Sequence, residues 1–208
     1  EMVISEIIML ARRLGQRNNE MHQRTWKKVS SACYEVRGKT IGIVGTGAIG
    51  TAMVRRLHDG FDMKILYHDP KRNQILEHET GARHVSLSDL LRRADIVSLH
   101  VPLLPSTKHL ISTRELSLMK PTAFLINTAR GPVVDEKALV HALTRKQIAG
   151  AGLDVYEHEL HIDLSLRKLS NVVLTPHTAS ATIETRQTMS RVCAENILAF
   201  LDGKRPPN

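Results

Sequence analysis

Gly45-Thr46-Gly47-Ala48-Ile49-Gly50 has G-x-G-x-x-G spacing and lies between a short apolar run, Ile41 to Val44, and a stretch with helical periodicity. In that setting the first glycine permits a tight turn and the second lets a pyrophosphate approach the backbone, while the third allows a helix to pack closely on a strand. A dinucleotide's phosphates would then rest on the helix N-terminus. Turns produce such glycines often, so the loop gains weight from an acid placed beyond it. Asp69 ends the next apolar run, nineteen residues after Gly50. A carboxylate there can accept hydrogen bonds from ribose hydroxyls and would repel a 2'-phosphate, which favours NAD over NADP. Lys71 and Arg72 just beyond it weaken that discrimination, and the plainer reading is that Asp69 starts the turn at Pro70.

Three further polar residues come after later apolar runs: Arg130 in Asn127-Thr128-Ala129-Arg130-Gly131, Glu159 in the stretch from Gly152, and His177 in Leu174-Thr175-Pro176-His177. Singly, each has a plain explanation as a surface charge, a loop carboxylate or a helix-start histidine. Together beside a dinucleotide site they form a chemical set. A guanidinium fork holds a carboxylate in two bonds and polarises a neighbouring carbonyl. A carboxylate bonded to a histidine fixes its tautomer and raises its pKa toward neutrality, making it a proton donor. That is the equipment for hydride transfer to a 2-keto acid.

The elements that must position these groups can be read from periodicity. Strands are expected at Ile41 to Val44, Met63 to Tyr67, Ala82 to Val85, Ile96 to Leu99, Ala123 to Asn127, Ala149 to Asp154 and Val172 to Leu174. Helices are expected between them at Ala48 to Leu57, Lys71 to Glu79, Leu87 to Arg93, Thr113 to Met119 and Glu136 to Arg145, with a last one at Ile183 to Leu201. This alternation predicts a doubly wound, mostly parallel α/β sheet of Rossmann type, whose ligands bind at the strands' C-terminal ends. Residues 1–17 read as an opening helix, residues 40–177 as a nucleotide-binding core and residues 183–201 as a closing helix. The whole chain reads as one dinucleotide-binding domain.

Composition narrows the class. The chain has 208 residues, 42% of them hydrophobic and 24% charged, as in a globular protein with its own core. Lys and Arg exceed Asp and Glu by 29 to 21, but the basic residues are dispersed and aromatics are only 3%, which argues against nucleic acid and for either small anionic substrates or a solvated basic surface. No apolar run approaches the roughly 18 residues of a membrane span. Glu1-Met2-Val3-Ile4 has no basic region before its apolar residues, so neither membrane nor secretion is expected. Cys33 and Cys193 are too few for a disulfide framework, so a reducing, cytoplasmic compartment is expected.

The motifs Val44 to Gly50, Leu99-His100-Val101-Pro102-Leu103, Met119-Lys120-Pro121, Asn127 to Gly131, Leu153-Asp154-Val155-Tyr156 and Leu174 to His177 occur in an order that resembles the D-isomer-specific 2-hydroxyacid dehydrogenases. The resemblance spans nearly the entire chain and implies that Arg130, Glu159 and His177 are catalytic. It also implies contacts to NAD from Ala48 and Ile49 at the phosphates and Asp69 at the ribose. Val101, Pro102, Thr128, Ala129, Arg130 and Asp154 would surround adenosine and nicotinamide, and His177 to Ser180 would lie near the nicotinamide, with Gly45, Gly47 and Gly50 forming the phosphate loop. Within the family, Trp26-Lys27-Lys28-Val29 and Cys33 to Lys39 look most like D-3-phosphoglycerate dehydrogenases, where this region lies at a subunit interface; Trp26 accordingly suggests a homodimer.

Some features depart from the family pattern. Leu160 stands where a proline usually comes after the catalytic glutamate, and Glu157 competes with Glu159, which is preferred on register. His158-Glu159-Leu160-His161 lacks the spacing of a zinc helix, so no metal is expected. The family's substrate domain is absent from this chain, residues 1–17 resemble the helix that connects to it, and Ile183 to Leu201 resembles the helix leading back. The expected function is NAD-dependent hydride transfer at C2 of a 2-hydroxy or 2-keto acid. The rivals are a corepressor-like protein that responds to NAD(H), and an isolated domain that binds NAD without turnover.

Overall fold

A computed structural model describes residues 1–26 and 33–207, which form two compact units, one ending at Pro176 and one starting at His177. Lys27, Lys28 and Val29, part of the subgroup likeness, lie outside the described residues. The first unit is built on β1 (Thr40–Val44), β2 (Lys64–His68), β3 (Arg83–His84), β4 (Ile96–Leu99), β5 (Phe124–Asn127), β6 (Gly150–Leu153) and β7 (Val172–Leu174), all parallel in the order β3-β2-β1-β4-β5-β6-β7. Strands β4, β5 and β6 are buried along their whole length, the pattern of a parallel sheet covered on both faces.

Register converts this order into a site. Val44 pairs with His68 on one side and Leu99 on the other; Leu99 pairs with Asn127, Asn127 with Leu153, and Leu153 with Leu174. Six strands therefore end level, and Gly45, Asp69, His100, Thr128, Asp154 and Thr175 leave the sheet side by side at its crest.

Helices α1 (Met2–Arg12), α3 (Ala48–Phe61) and α4 (Gln74–Thr80) belong to one apolar core, which includes Ile7, Ile41, Ile43, Val54, Leu57, Tyr67 and Leu76. Helices α5 (Leu87–Arg93), α6 (Thr113–Leu118) and α7 (Glu136–Thr144) belong to the other, around Leu90, Val97, Leu116, Leu125, Leu139 and Leu153. Side-chain caps set several starts: Ser86 accepts from the Asp89 amide at 3.1 Å and Asp135 from the Ala138 amide at 3.0 Å.

Two boundaries differ from expectation for local reasons. The opening helix over residues 1–17 is broken at Arg13, whose φ of 50° ends α1 in a left-handed turn and starts α2 (Leu14–His22). Helix α4 begins at Gln74 and not at Lys71, because Asp69 Oδ1 accepts the Lys71 amide and Asn73 caps the Leu76 amide. A four-residue helix, α8 (Leu164–Arg167), was not anticipated. The second unit contains α9 (Ile183–Leu201), started by Thr182, whose hydroxyl accepts the Thr185 amide at 3.1 Å. Among the described residues no helix is long and apolar enough to cross a membrane.

Of the buried polar residues Glu6, Ser98, Asn127 and Asp154, Glu6 is the one with unpartnered side-chain oxygens among the described residues. Glu6 of α1 is 1% exposed. Gly152 of β6 makes room for it: a Cβ there would lie 2.9 Å from the Glu6 Cβ. Burial first, then the neighbouring Asp154 carboxylate, pushes the Glu6 pKa up to about 8 from 4.5; Thr175 Oγ1, already donating to Asp154, offsets part of the rise. Because the folded state holds this proton more tightly than the unfolded chain, the acid costs nothing below about pH 4.5 and progressively more as pH rises to about 8. Glu6→Met should therefore gain on wild type across that window, by up to roughly 4 kcal/mol near pH 8 and by little near pH 5. Urea unfolding at the two pH values measures this, and a gap independent of pH would show that Glu6 is ionised in the fold.

Candidate active site

The glycine loop divides into positions required by the fold and one that is not. Gly45 has φ 93°, and a Cβ on it would fall 2.7 Å from the His100 carbonyl oxygen. A Cβ on Gly50 would fall 2.0 Å from the Gly45 carbonyl oxygen, so α3 can approach β1 only with glycine there. Gly47 has negative φ and nothing within 4 Å of where its Cβ would be. It caps the fourteen-residue α3 with no side-chain hydrogen bond to the first amides. The adjacent Ile49 is 68% exposed. An open helix start with a bare glycine and an exposed apolar neighbour fits the pyrophosphate of a dinucleotide.

Asp69 ties this loop to the end of β2. Its Oδ2 accepts the Thr46 amide at 2.7 Å and the Thr46 hydroxyl at 3.1 Å, while Oδ1 accepts the Lys71 amide at 2.9 Å. Partial burial by itself would raise its pKa, but the amides of Thr46 and Lys71, the Thr46 hydroxyl and His68 outweigh it and hold Asp69 below the usual carboxylate range. The turn role and a ribose-facing charge are thus compatible in one side chain. Thr46 was not singled out in the sequence; its partner can be recognised only once β1 and β2 lie side by side.

After β4, His100 is another residue that sequence reasoning passed over. Burial pushes its pKa down to about 4, so the ring is neutral, and Nε2 lies 2.9 Å from the Ser98 hydroxyl. Its carbonyl packs against Gly45, and the adjoining Val101 and Pro102 lead into an exposed loop that includes Leu103 and Leu104. After β5, the buried Asn127 side chain folds the next loop back on itself, donating to the Arg130 carbonyl at 3.0 Å and accepting the Ala129 amide at 3.1 Å. Thr128 and Ala129 are half-buried within that turn, and the Arg130 side chain is exposed. Its Nη1 donates to the Ala129 carbonyl at 2.6 Å. Gly131 admits close contact with the loop after β6: a Cβ on it would lie 1.8 Å from the Tyr156 carbonyl oxygen.

The two neighbouring glutamates of that loop differ in their surroundings. Glu157 Oε1 pairs with His109 Nε2 at 2.6 Å, and Glu157 exchanges backbone-to-carboxylate bonds with Glu136 at the start of α7. Glu157 is therefore a structural brace, whereas Glu159 is exposed two residues further on. His158 to His161 forms a turn closed by the His161 amide on the His158 carbonyl at 3.0 Å. Leu160, 95% exposed, sits in this turn at φ 75°, a conformation that proline's ring forbids. The departure at Leu160 thus changes the backbone and not only the side chain.

Asp154 is fully buried at the end of β6, and its Oδ1 accepts the Thr175 hydroxyl at 2.5 Å. The Tyr156 hydroxyl donates to the Leu153 and Thr175 carbonyls at 3.1 and 2.9 Å, holding the ends of β6 and β7 together. His177 and Ser180 belong to the second unit. There His177 is exposed with φ 55°, the Ala181 amide closes a turn on the Thr178 carbonyl at 2.9 Å, and Ser180 is exposed just before the α9 cap. The first unit therefore gathers Gly45, Gly47, Ala48, Ile49, Gly50 and Asp69 at one half of its crest and carries Val101, Pro102, Thr128, Ala129, Arg130, Asp154 and Glu159 on the loops of the other.

The glycines give a direct test of this division. Gly47→Ala should change stability by less than about 1 kcal/mol, since its φ is ordinary and its surroundings are open. Gly50→Ala should cost upward of about 2 kcal/mol, because the added methyl meets backbone that cannot move aside. Thermal or urea melting of the two variants reads the contrast, and equal losses would show that Gly47 is also a packing position.

Comparison with known proteins agrees with this architecture. Residues 4–179 match the family described as D-isomer specific 2-hydroxyacid dehydrogenase, NAD binding domain. Similar curated proteins include glyoxylate reductases from Thermococcus litoralis, 45% identical over all of this chain and 65% of that protein, and from Korarchaeum cryptofilum, 48% identical over 97% of this chain and 62% of that protein. Among solved structures, D-lactate dehydrogenase with NAD+ from Lactobacillus jensenii superposes with a TM-score of 0.89 at 32% identity, covering 99% of this chain and 65% of that one. The chain spans less than two thirds of the length of these relatives. These two curated relatives are named glyoxylate reductase and not phosphoglycerate dehydrogenase, which corrects the subgroup read from Trp26 to Lys39. The chain belongs to the D-isomer specific 2-hydroxyacid dehydrogenase family, as its NAD-binding domain.

Proposed function

We propose that this chain is the cofactor-binding part of an NAD-dependent oxidoreductase that interconverts a small 2-keto acid and its D-2-hydroxy acid. The observation that carries the proposal is the family match over residues 4–179, joined to a glycine loop whose middle glycine is left open by the fold. Relatives named as reductases and dehydrogenases favour an enzyme over a corepressor-like binding protein. Their names also favour glyoxylate as the first substrate to test. Trp26, 77% exposed, supports a homodimer, and a cytoplasmic location belongs to the same proposal.

NAD carries the hydride when it is bound. Gly47, Ala48 and Ile49 offer it the start of α3, and Asp69, held ionised, offers the ribose an acceptor and meets a 2'-phosphate with like charge. Arg130 is assigned to the substrate's carboxylate and carbonyl oxygen, where a planar fork both binds and polarises. His177 is assigned as the proton donor in reduction and the base in oxidation, with Glu159 as the third catalytic residue. Val101, Pro102, Thr128, Ala129, Asp154 and Ser180 are assigned to the walls around the adenosine and nicotinamide.

Calorimetry on the chain should give NAD binding at least about tenfold tighter than NADP, a preference that Asp69→Ser narrows; tighter NADP binding would refute the role of Asp69. In the intact protein, His177→Ala should lower turnover of NADH with glyoxylate by roughly 10²- to 10⁴-fold while NAD affinity is retained. Near-normal turnover would remove His177 from the chemistry.

A further inference from the structure

The opposite edge of the sheet, where the strands begin, holds a cavity of about 840 Å³ in the first unit. Its lining includes Lys64 at the start of β2, Arg83 at the start of β3, Arg92 and Arg93 at the end of α5, and Lys120 just before β5, with Asp62 as the one carboxylate. Several of these charges are already matched. Asp62 takes the Arg37 guanidinium at 2.7 Å, Arg93 pairs with Asp89 at 2.8 Å, and Lys120 with Asp95 at 2.8 Å. Among the described residues, Lys64, Arg83 and Arg92 have no carboxylate within ion-pair distance, and all three are exposed.

Local structure does not account for three unmatched cations around one hollow. The α5 C-terminus favours Arg92 through the helix dipole, but Lys64 and Arg83 stand on strands, which have little net dipole. The volume falls within the range of about 300 to 1,000 Å³ typical of small-molecule sites. The lining has no Phe, Tyr or Trp and His58 as its one aromatic ring, a poor platform for the successive base stacking on which single-stranded nucleic acid relies. Guanidinium forks with a lysine beside them match phosphate oxygens, taken two at a time by each arginine.

We propose that this cavity is a second anion site, binding a small molecule that carries two or more closely spaced phosphate groups, with Lys64, Arg83 and Arg92 as its charged ligands. It lies at the far end of the strands from the glycine loop and does not depend on the oxidoreductase reading.

Tripolyphosphate is the probe, titrated calorimetrically into the 208-residue chain at constant ionic strength. The expected result is saturable binding that weakens at least about tenfold in the Arg83→Ser, Arg92→Ser double variant, but less than about twofold in a control of equal charge, Arg114→Ser with Lys137→Ser. Unchanged melting verifies that each variant folds, and Lys64→Gln, expected to weaken binding in the same direction, tests the site if the double variant does not. Equal affinity in wild type and the cavity variants, binding that vanishes when ionic strength is held constant, or a thymidine oligonucleotide that binds these residues more tightly than tripolyphosphate would each overturn the proposal. Because NAD is omitted from the titration, failure here leaves the oxidoreductase reading standing, and failure of NAD binding leaves this one standing.

Discussion

Backbone packed against backbone, too tightly for any side chain between, holds the crest of this sheet together. The Gly45 turn rests on the His100 carbonyl, Gly50 on the carbonyl of Gly45, and Gly131 on the carbonyl of Tyr156. Each contact joins loops from different strands or a loop to its helix, so the crest behaves as one interlocked surface. The positions of the candidate groups depend on that interlocking. Asp69 reaches Thr46 because β1 and β2 end level, and Arg130 and Glu159 lie on loops joined through Gly131.

The charge state of the crest is set as closely as its shape. Asp69 is kept ionised by amides and a hydroxyl, whereas burial keeps His100 neutral, and burial with the neighbouring Asp154 favours the protonated form of Glu6. Asp154 is buried under the Thr175 hydroxyl, and Tyr156, its pKa pushed up to about 12 by burial and nearby carboxylates, stays a hydrogen-bond donor to two carbonyls. The other edge of the sheet is different in kind: open, basic and rich in flexible side chains. The function proposed for the crest gives no reason for the cations of the opposite edge.

Element type and order were legible because parallel strands buried on both faces are nearly continuous apolar runs, and the helices between them carry a clear 3.6-residue period. All seven expected strands form, and the helices at Leu87–Arg93 and Ile183–Leu201 match residue for residue. Boundaries governed by a single side chain were less visible. Arg13 interrupts the first helix in a left-handed conformation without glycine or proline to mark it, and Asn73 delays α4 by capping it. Leu160 could be seen as a departure from the family, but the positive φ it adopts could not.

Sequence alone determined the doubly wound α/β class, the glycine loop with its acid, and the family, because the first depends on local periodicity, the second on spacing within one βαβ unit, and the third on the order of short motifs along the chain. Only the tertiary structure decided that Glu157 is a brace to His109 and Glu136, that Glu6 is a buried acid beside Asp154, and that Lys64, Arg83 and Arg92 surround one hollow. Those facts are relations between residues far apart in the chain. Strand register and the packing of helices on the sheet bring them within reach, and no residue's own neighbours in sequence encode that distance.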